Sequence, residues 1–314
     1  MSTSPSPTGA HPATVASLPT PEELPVRLVA DCRNVLGEGP IWCPVEQALW
    51  WVDNLQPSIW RYTQADGAVR SWPMAEEIGC VVLRRDGGLV AAMKSGFYLL
   101  DLDKGLSQRV AAPETDRPGN RLNDGRCDRR GRFWCGSMNA SFQDGRKSAA
   151  IYRLDPDFTC TRMDDGFIVS NGIAFGHDDR TMYYSDTTSR LVYRYDFDIE
   201  RGLISNRRVF TSTEGLPGKV DGATVDAQGA YWCAHVYDWC VVRYGPDGRV
   251  DRRIRLPVRN PTCVAFGGPE LRTLFVTSAT KFLTDEELAS QPWAGGVLAI
   301  DLDVCGLPEP RFGG

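Results

Sequence analysis

Short apolar runs separated by turn residues recur along nearly the whole chain from about residue 25. Leu49-Trp50-Trp51-Val52-Asp53, Leu89-Val90-Ala91-Ala92-Met93, Phe133-Trp134-Cys135-Gly136-Ser137, Met182-Tyr183-Tyr184-Ser185-Asp186, Tyr231-Trp232-Cys233-Ala234-His235 and Leu274-Phe275-Val276-Thr277-Ser278 start 40, 44, 49, 49 and 43 residues apart. Their length and their β-branched and aromatic content predict strands. Most follow a tight turn, such as Arg85-Asp86-Gly87-Gly88 or Asp226-Ala227-Gln228-Gly229. A second run follows each, as in Ile59-Trp60-Arg61-Tyr62 and Val241-Val242-Arg243-Tyr244, and a weaker third run precedes the next unit. Ahead of each leading run stands an opening strand, beginning at Glu38, Gly79, Asn123, Asn171, Asp221 and Thr262. Four strands per unit, repeated six times, predict an all-β fold, a six-bladed β-propeller with four-stranded blades.

The phase of the repeat predicts how the ring closes. Residues 26–31 stand where the outer strand of a preceding blade would be, yet no blade precedes them. The last unit stops after its third strand, near Asp303. The N-terminal strand is therefore expected to complete the last blade and remove an open sheet edge. A single propeller domain over residues 25–314 follows, preceded by a Ser-, Thr-, Pro- and Ala-rich arm over 1–24. The arm is expected to be disordered, and it lacks the basic and apolar segments of a secretory signal.

Composition narrows the class of partner. Lys/Arg and Asp/Glu are interspersed and the net charge is −5, so no basic patch points to nucleic acid. No apolar run reaches a membrane-spanning length, and nothing indicates an obligate protein partner. The ten cysteines include no C-x-x-C pair, and several lie within apolar runs, as expected of reduced, buried thiols in the cytoplasm. Three histidines, none paired on a helix, speak against a His-rich metal centre. G-x-S-x-G, a Walker A loop and a strand-linked G-x-G-x-x-G are all absent, which disfavours serine hydrolases and nucleotide enzymes.

In a propeller the opening strands line the central channel, so their first residues converge at one mouth. Asp221-Gly222 alone reads as a turn signal before a strand. In the repeat register, however, Asp221 joins Glu38, Asn123 and Asn171 in equivalent slots. Two carboxylates and two carboxamides in a confined mouth call for a divalent cation bound by oxygen: Ca²⁺, Mg²⁺ or Mn²⁺, with Zn²⁺ or Fe²⁺ also compatible. Arg121, two residues before Asn123, is placed to donate to an oxygen-rich substrate. The leading strands return to the same mouth at Asp53, Ser137, Asp186, His235 and Ser278, which are candidates to support the ligands. His235 alone is better explained as a hydrogen-bonded structural residue than as a base. Met138, Asn139, Tyr237, Trp239, Lys281 and Phe282 follow those strand ends and are candidate pocket walls.

Leu36-Gly37-Glu38-Gly39-Pro40, Arg121-Leu122-Asn123-Asp124-Gly125, Ser170-Asn171-Gly172 and Asp221-Gly222-Ala223 resemble the marker motifs of the SMP-30/gluconolactonase/regucalcin family. Residues 202–210, Phe266-Gly267-Gly268-Pro269 and Ala294-Gly295-Gly296-Val297 extend the likeness over about 26–312. The resemblance implies one divalent metal at the channel mouth, with ligands carried over to Glu38, Asn171 and Asp221. It places Asn123 near the metal or substrate and matches Arg121 to the substrate-binding arginine. One departure stands out. Asn139-Ala140-Ser141 follows Gly136-Ser137-Met138 where regucalcin-like members have an acidic pair, so the vertebrate substrate preference does not transfer. Bacterial aldonolactonases of oxidative sugar pathways, including those acting on pentonolactones, are the nearer likeness.

The expectation is therefore a metal-dependent lactonase that hydrolyses an aldono-1,4- or 1,5-lactone. Asp221 would act as general base on water, while Arg121, Asn123 and Asn120 orient the sugar oxygens. A non-catalytic calcium-binding or interaction propeller, and a propeller hydrolase of another ester class, remain as alternatives.

Overall fold

The computed structural model describes residues 18–314. Six four-stranded antiparallel sheets form the blades of a propeller. Blade 1 comprises β2 (Gly37–Cys43), β3 (Ala48–Asp53), β4 (Ser58–Thr63) and β5 (Val69–Pro73). Blade 2 is β6 (Ile78–Leu83), β7 (Leu89–Met93), β8 (Gly96–Asp101) and β9 (Leu106–Ala111). Blade 3 is β10 (Asn120–Cys127), β11 (Phe133–Asn139), β12 (Ala149–Leu154) and β13 (Cys160–Phe167). Blade 4 is β14 (Ser170–Phe175), β15 (Thr181–Asp186), β16 (Leu191–Asp198) and β17 (Leu203–Ser212). Blade 5 is β18 (Lys219–Val225), β19 (Tyr231–Val236), β20 (Cys240–Tyr244) and β21 (Val250–Arg255). Blade 6 joins β22 (Pro261–Gly267), β23 (Thr273–Ser278) and β24 (Val297–Asp301) to the N-terminal β1 (Val26–Ala30).

The closure is as the repeat phase predicts. β1 pairs antiparallel with β24, Val26 opposite Ile300 and Leu28 opposite Leu298. Ring closure thus joins residues from opposite ends of the chain, and β24 is left with no unpaired edge.

The blades adhere through aromatic side chains. The leading strands are buried on both faces, so they read as continuous apolar runs, whereas the outermost strands are largely exposed or half-buried along their length. Trp42 of blade 1 stacks on Phe275 of blade 6 with ring centroids 5.5 Å apart. Phe97 meets Phe133 between blades 2 and 3, Trp134 meets Phe175 between blades 3 and 4, and Trp232 meets Phe266 between blades 5 and 6. Each such pair adds roughly 0.5–1.5 kcal/mol beyond the area it buries. The turns before two of the leading strands do a matching job. Asp128 and Asp226, fully buried, accept hydrogen bonds from the backbone of their own turns and from the indoles of Trp134 (2.8 Å) and Trp232 (2.9 Å). The shared spacing Asp-x-x-Gly-x-x-Trp in blades 3 and 5 is thus one device used twice.

The end of the channel away from the Glu38 mouth is crossed by the C-terminal segment after β24. Gly306 bridges to Asp226 and Phe312 to Arg84, while Gly313 N–H donates to Gly131 O at 2.9 Å. Glu309 forms a buried ion pair with Arg126, whose guanidinium also donates to Ile173 O and Ala223 O on neighbouring inner strands. The expected disordered arm over 1–24 lies mostly outside the described residues. Its last part is attached: Glu22 bridges to Ile254 on β21, and its carboxylate accepts two bonds from Arg252, at 2.8 and 2.9 Å. All ten cysteines are free. Among the described residues no helix is long and apolar enough to cross a membrane.

Candidate active site

Each innermost strand breaks register near its start. The shifts fall after Glu38 in β2, Ile78 in β6, Leu122 in β10, Asn171 in β14, Val220 in β18 and Pro261 in β22. Bulges of this kind re-aim side chains, and here they bring the slot residues of different blades to one mouth. Gly39 (φ 56°) and Gly172 (φ 59°) supply the left-handed backbone at two of them. Gly222 is different from what Asp221-Gly222 suggests in isolation. It lies within β18 rather than in a turn, and a Cβ there would run into the Cys263 side chain. The blade-2 slot is Gly79 for a similar reason, because a Cβ would strike the backbone of Asn123.

Glu38, Arg121, Asn123, Asn171 and Asp221 all line one cavity of about 110 Å³ at this mouth, and all are buried. Burial pushes the Asp221 carboxyl well above the usual carboxylate range, and the charge of Asp124 raises it further. Glu38 is raised in the same way by burial, then by Asp221 and Asp124, with Arg121 acting in the opposite direction. Asp221 Oδ1 is buried without a hydrogen-bond partner.

The amides are fixed by a directed chain. Arg121 Nη1 donates to Asn123 Oδ1 at 2.7 Å. Asn123 Nδ2 donates to Ser170 O (2.8 Å) and to Asn171 Oδ1 (3.0 Å), and Asn171 Nδ2 donates to Thr187 Oγ1 at 2.8 Å. Arginine can only donate, so it sets the Asn123 flip, and Asn123 in turn presents the Asn171 oxygen to the inside of the mouth. Both amide protons of Asn123 are thereby committed to protein partners. Arg121 is itself held by Glu77, whose Oε2 lies 3.3 Å from Nε.

Asn120 does not join this group. Its amide donates to Glu114 Oε2 and Ser148 O, both at 2.9 Å, and its oxygen accepts from Ser148 Oγ at 2.7 Å, which fixes the blade-3 connection instead. The returning strand ends divide too. Asp53 accepts from the N–H groups of Val35 (2.8 Å) and Leu36 (3.2 Å), just ahead of Glu38. Asp186 accepts from Ile168 (3.1 Å) and Val169 (3.2 Å), just ahead of Asn171. Both therefore clamp the segments that carry the mouth oxygens. His235 is buried, with Nε2 bonded to Tyr244 Oη at 2.8 Å, and desolvation pushes its pKa down to about 3. Ser137 accepts from Ala150 N–H and Ser278 donates to Gly296 O. Of the candidate walls, Met138, Tyr237, Lys281 and Phe282 line the cavity.

Sequence reasoning missed Glu77, Lys219 and Asp124. The first two had a signal: they stand two residues before their slots, as Arg121 does before Asn123, and alternate residues of a strand share a face. Asp124 is buried one step deeper in the channel, where one oxygen accepts from Ile173 N–H at 3.1 Å. A larger groove of about 770 Å³ between the outer parts of blades 1 and 2 holds no comparable group. Its Glu46 and Asp101 are engaged by Arg61 and Lys104.

The model of the SMP-30/Gluconolactonase/LRE-like region matches residues 36–280. The chain belongs to this family. Among SMP-30/gluconolactonase proteins it is 41% identical over 282 residues to the 6-deoxy-6-sulfogluconolactonase of Pseudomonas putida, covering 90% of this chain and 96% of that one. It is 37% identical to the L-arabinolactonase of Azospirillum brasilense, covering 91% and 95%. The crystal structure of a calcium-binding protein, regucalcin, from Agrobacterium tumefaciens superposes with a TM-score of 0.90 at 29% identity, covering 94% and 99%. All five cavity oxygen and guanidinium positions named above fall inside the matched region.

Proposed function

We propose that this protein is a carboxylic ester hydrolase, a metal-dependent lactonase that opens a sugar aldono-1,4- or 1,5-lactone to the aldonic acid in oxidative sugar catabolism in the cytoplasm. One observation carries the reading: two buried carboxylates, both raised above the usual range, line one mouth together with an oriented carboxamide and a buried arginine. The relatives named as sugar lactonases support it.

The residues fit a divalent cation. Among the described residues no three His, Cys, Asp or Glu side chains cluster around a point, and the donors here are two carboxylates plus a carboxamide. The unpartnered Asp221 Oδ1 and the doubly raised carboxyls are what a cation would relieve. Glu38, Asn171 and Asp221 would hold it, and when bound it supplies Lewis acidity toward the lactone. Asp221 takes the proton of the attacking water and returns a proton to the ring oxygen as the acyl C–O bond breaks. The Arg121 guanidinium, kept in place by Glu77, donates to sugar oxygens, and Asn123 holds both Arg121 and Asn171 in register. Because Arg121 lines the cavity, a sugar lactone is favoured over an apolar ester.

A proton-release assay over a panel of aldonolactones, with and without EDTA, tests the reading. EDTA-sensitive opening of at least one aldonolactone above its spontaneous rate is expected. No acceleration with any divalent metal would leave a non-catalytic, metal-binding propeller.

A further inference from the structure

Two ammonium groups on the cavity wall have no part in the chemistry above. Lys219 opens β18, two residues before Asp221, and Lys281 follows the end of β23. Both line the cavity, and among the described residues neither is ion-paired with a carboxylate, in contrast to Arg121 with Glu77. Lys281 is held in place from both sides: its N–H donates to Val35 O and its carbonyl accepts from Asn260 Nδ2, each at 3.0 Å. Its ammonium lies 4.9 Å from the Phe282 ring. Phe282 (φ 69°) and Tyr237 (φ 72°) both occupy the left-handed region, unusual for bulky side chains, and their rings meet edge to face at 5.7 Å. This strained pair holds one wall of the mouth, and the lysine with it. Burial and then the neighbouring Arg121 charge push the Lys281 pKa down, with Glu77 acting in the opposite direction, so an incoming anion would favour its charged form.

The charge balance points the same way. Around the mouth, Glu38, Asp221, Glu77 and the deeper Asp124 stand against Arg121, Lys219 and Lys281. Once the divalent cation that the carboxylates fit is counted, the mouth carries an excess of one positive charge, which a neutral sugar lactone leaves unanswered.

We propose that Lys219 and Lys281 form a cationic subsite for an oxyanion on the substrate, so that the preferred lactone is an acidic one bearing a sulfonate, phosphate or carboxylate away from the ring carbonyl. This rests on the lactonase reading of the same mouth. Charge-assisted bonds to such a group are the strong kind, and at a half-open mouth they weaken with added salt.

The test compares the metal-loaded full chain on δ-gluconolactone, 6-phosphogluconolactone, 6-deoxy-6-sulfogluconolactone and a uronic acid lactone. It also compares thermal shifts induced by gluconate and 6-phosphogluconate with the divalent metal present. The expected result is a higher kcat/KM for at least one acidic lactone, carried by a lower KM that rises with salt, and a larger shift with 6-phosphogluconate. In the double variant Lys219→Gln, Lys281→Gln the acidic-to-neutral ratio should fall by roughly 30-fold, as expected for loss of two charge-assisted contacts. The double variant Lys219→Arg, Lys281→Arg should keep most of the ratio. The acidic lactones together with the binding arm identify which oxyanion is read. Equal or better use of the neutral lactone by the unaltered protein, or an unchanged ratio in the Gln variant, overturns the subsite and leaves the lactonase standing. Lysine-dependent binding of 6-phosphogluconate without hydrolysis of any lactone upholds the subsite and removes the lactonase reading. Absence of both removes both.

Discussion

Replacing Asp221 by Asn should stabilise the metal-free protein while disabling it. In the absence of a cation, Glu38 and Asp221 are both buried and each is raised above its usual pKa. Charges close enough to act this way, on the order of 4–6 Å apart, repel by about 3–4 kcal/mol at an effective dielectric of about 20. Part of this is already relieved by protonation, so a net gain of about 1–3 kcal/mol is expected from Asp221→Asn. For a chain of this size that is a rise of roughly 2–6 °C in Tm. The sign depends on pH. A carboxyl raised in the folded state costs nothing below its unfolded pKa and costs progressively more as pH climbs toward the raised value. The advantage of the variant in EDTA should therefore be absent near pH 4 and grow toward neutrality. Metal should reverse the ranking: a cation at 100 times its Kd stabilises the unaltered protein by about 2.7 kcal/mol, and the variant, lacking one carboxylate, should gain far less. Losing the base should lower kcat by about 10²–10⁴-fold. Differential scanning fluorimetry in EDTA and in millimolar Ca²⁺, Mn²⁺ or Zn²⁺, with initial rates on a responsive lactone, measures all of this. A variant no more stable than the parent in EDTA at pH 7, or one whose metal shift and kcat are undiminished, would refute the reasoning.

Other outcomes follow from the same contacts. Gly79→Ala should cost about 1–3 kcal/mol as an overpacked site and lower kcat/KM more than tenfold, because the new Cβ pushes on the Asn123 backbone and so on Arg121. Urea titration and steady-state kinetics read both effects. His235 is buried and neutral, with its pKa pushed from 6.5 to about 3. The unfolded chain therefore binds the extra proton first, and stability should fall by about 1.4 kcal/mol per pH unit below 6.5, or about 2 kcal/mol at pH 5. In His235→Gln, urea unfolding at pH 7 and pH 5 should show that share of the acid sensitivity gone. Removing residues 1–31 deletes β1 and exposes the edge of β24. Aggregation or a fall in Tm of more than about 10 °C is expected, as seen by size-exclusion chromatography and fluorimetry.

The blades were legible in the chain because a strand buried on both faces needs a short apolar run, and a turn must follow it. Repetition made the register readable, and the register places Glu38, Asn123, Asn171 and Asp221 in equivalent slots. The closure by β1 was legible for the same reason: an unpaired outer strand at one end matched a missing one at the other. Roles that depend on partners far apart in sequence were not legible. Asp53 and Asp186 support the mouth as their position suggests, but not by facing its oxygens: each carboxylate accepts backbone N–H groups 17 or 18 residues upstream as well as those of its own following turn. Asn120 sits beside Arg121 in sequence, yet the alternation of the strand sends its amide to Glu114 and Ser148.

Local pattern therefore determined which segments are strands, how many blades they make and which residues head them. A strand's side-chain period of two and a turn's backbone demands are properties of neighbours in sequence. Only the tertiary structure decided which of those heads lack a counter-charge. The cost of a buried carboxylate depends on everything within a few ångströms, and around Asp221 those groups come from several blades. It also decided that Arg121 is held by Glu77, whereas among the described residues Lys219 and Lys281 on the same cavity wall have no carboxylate partner.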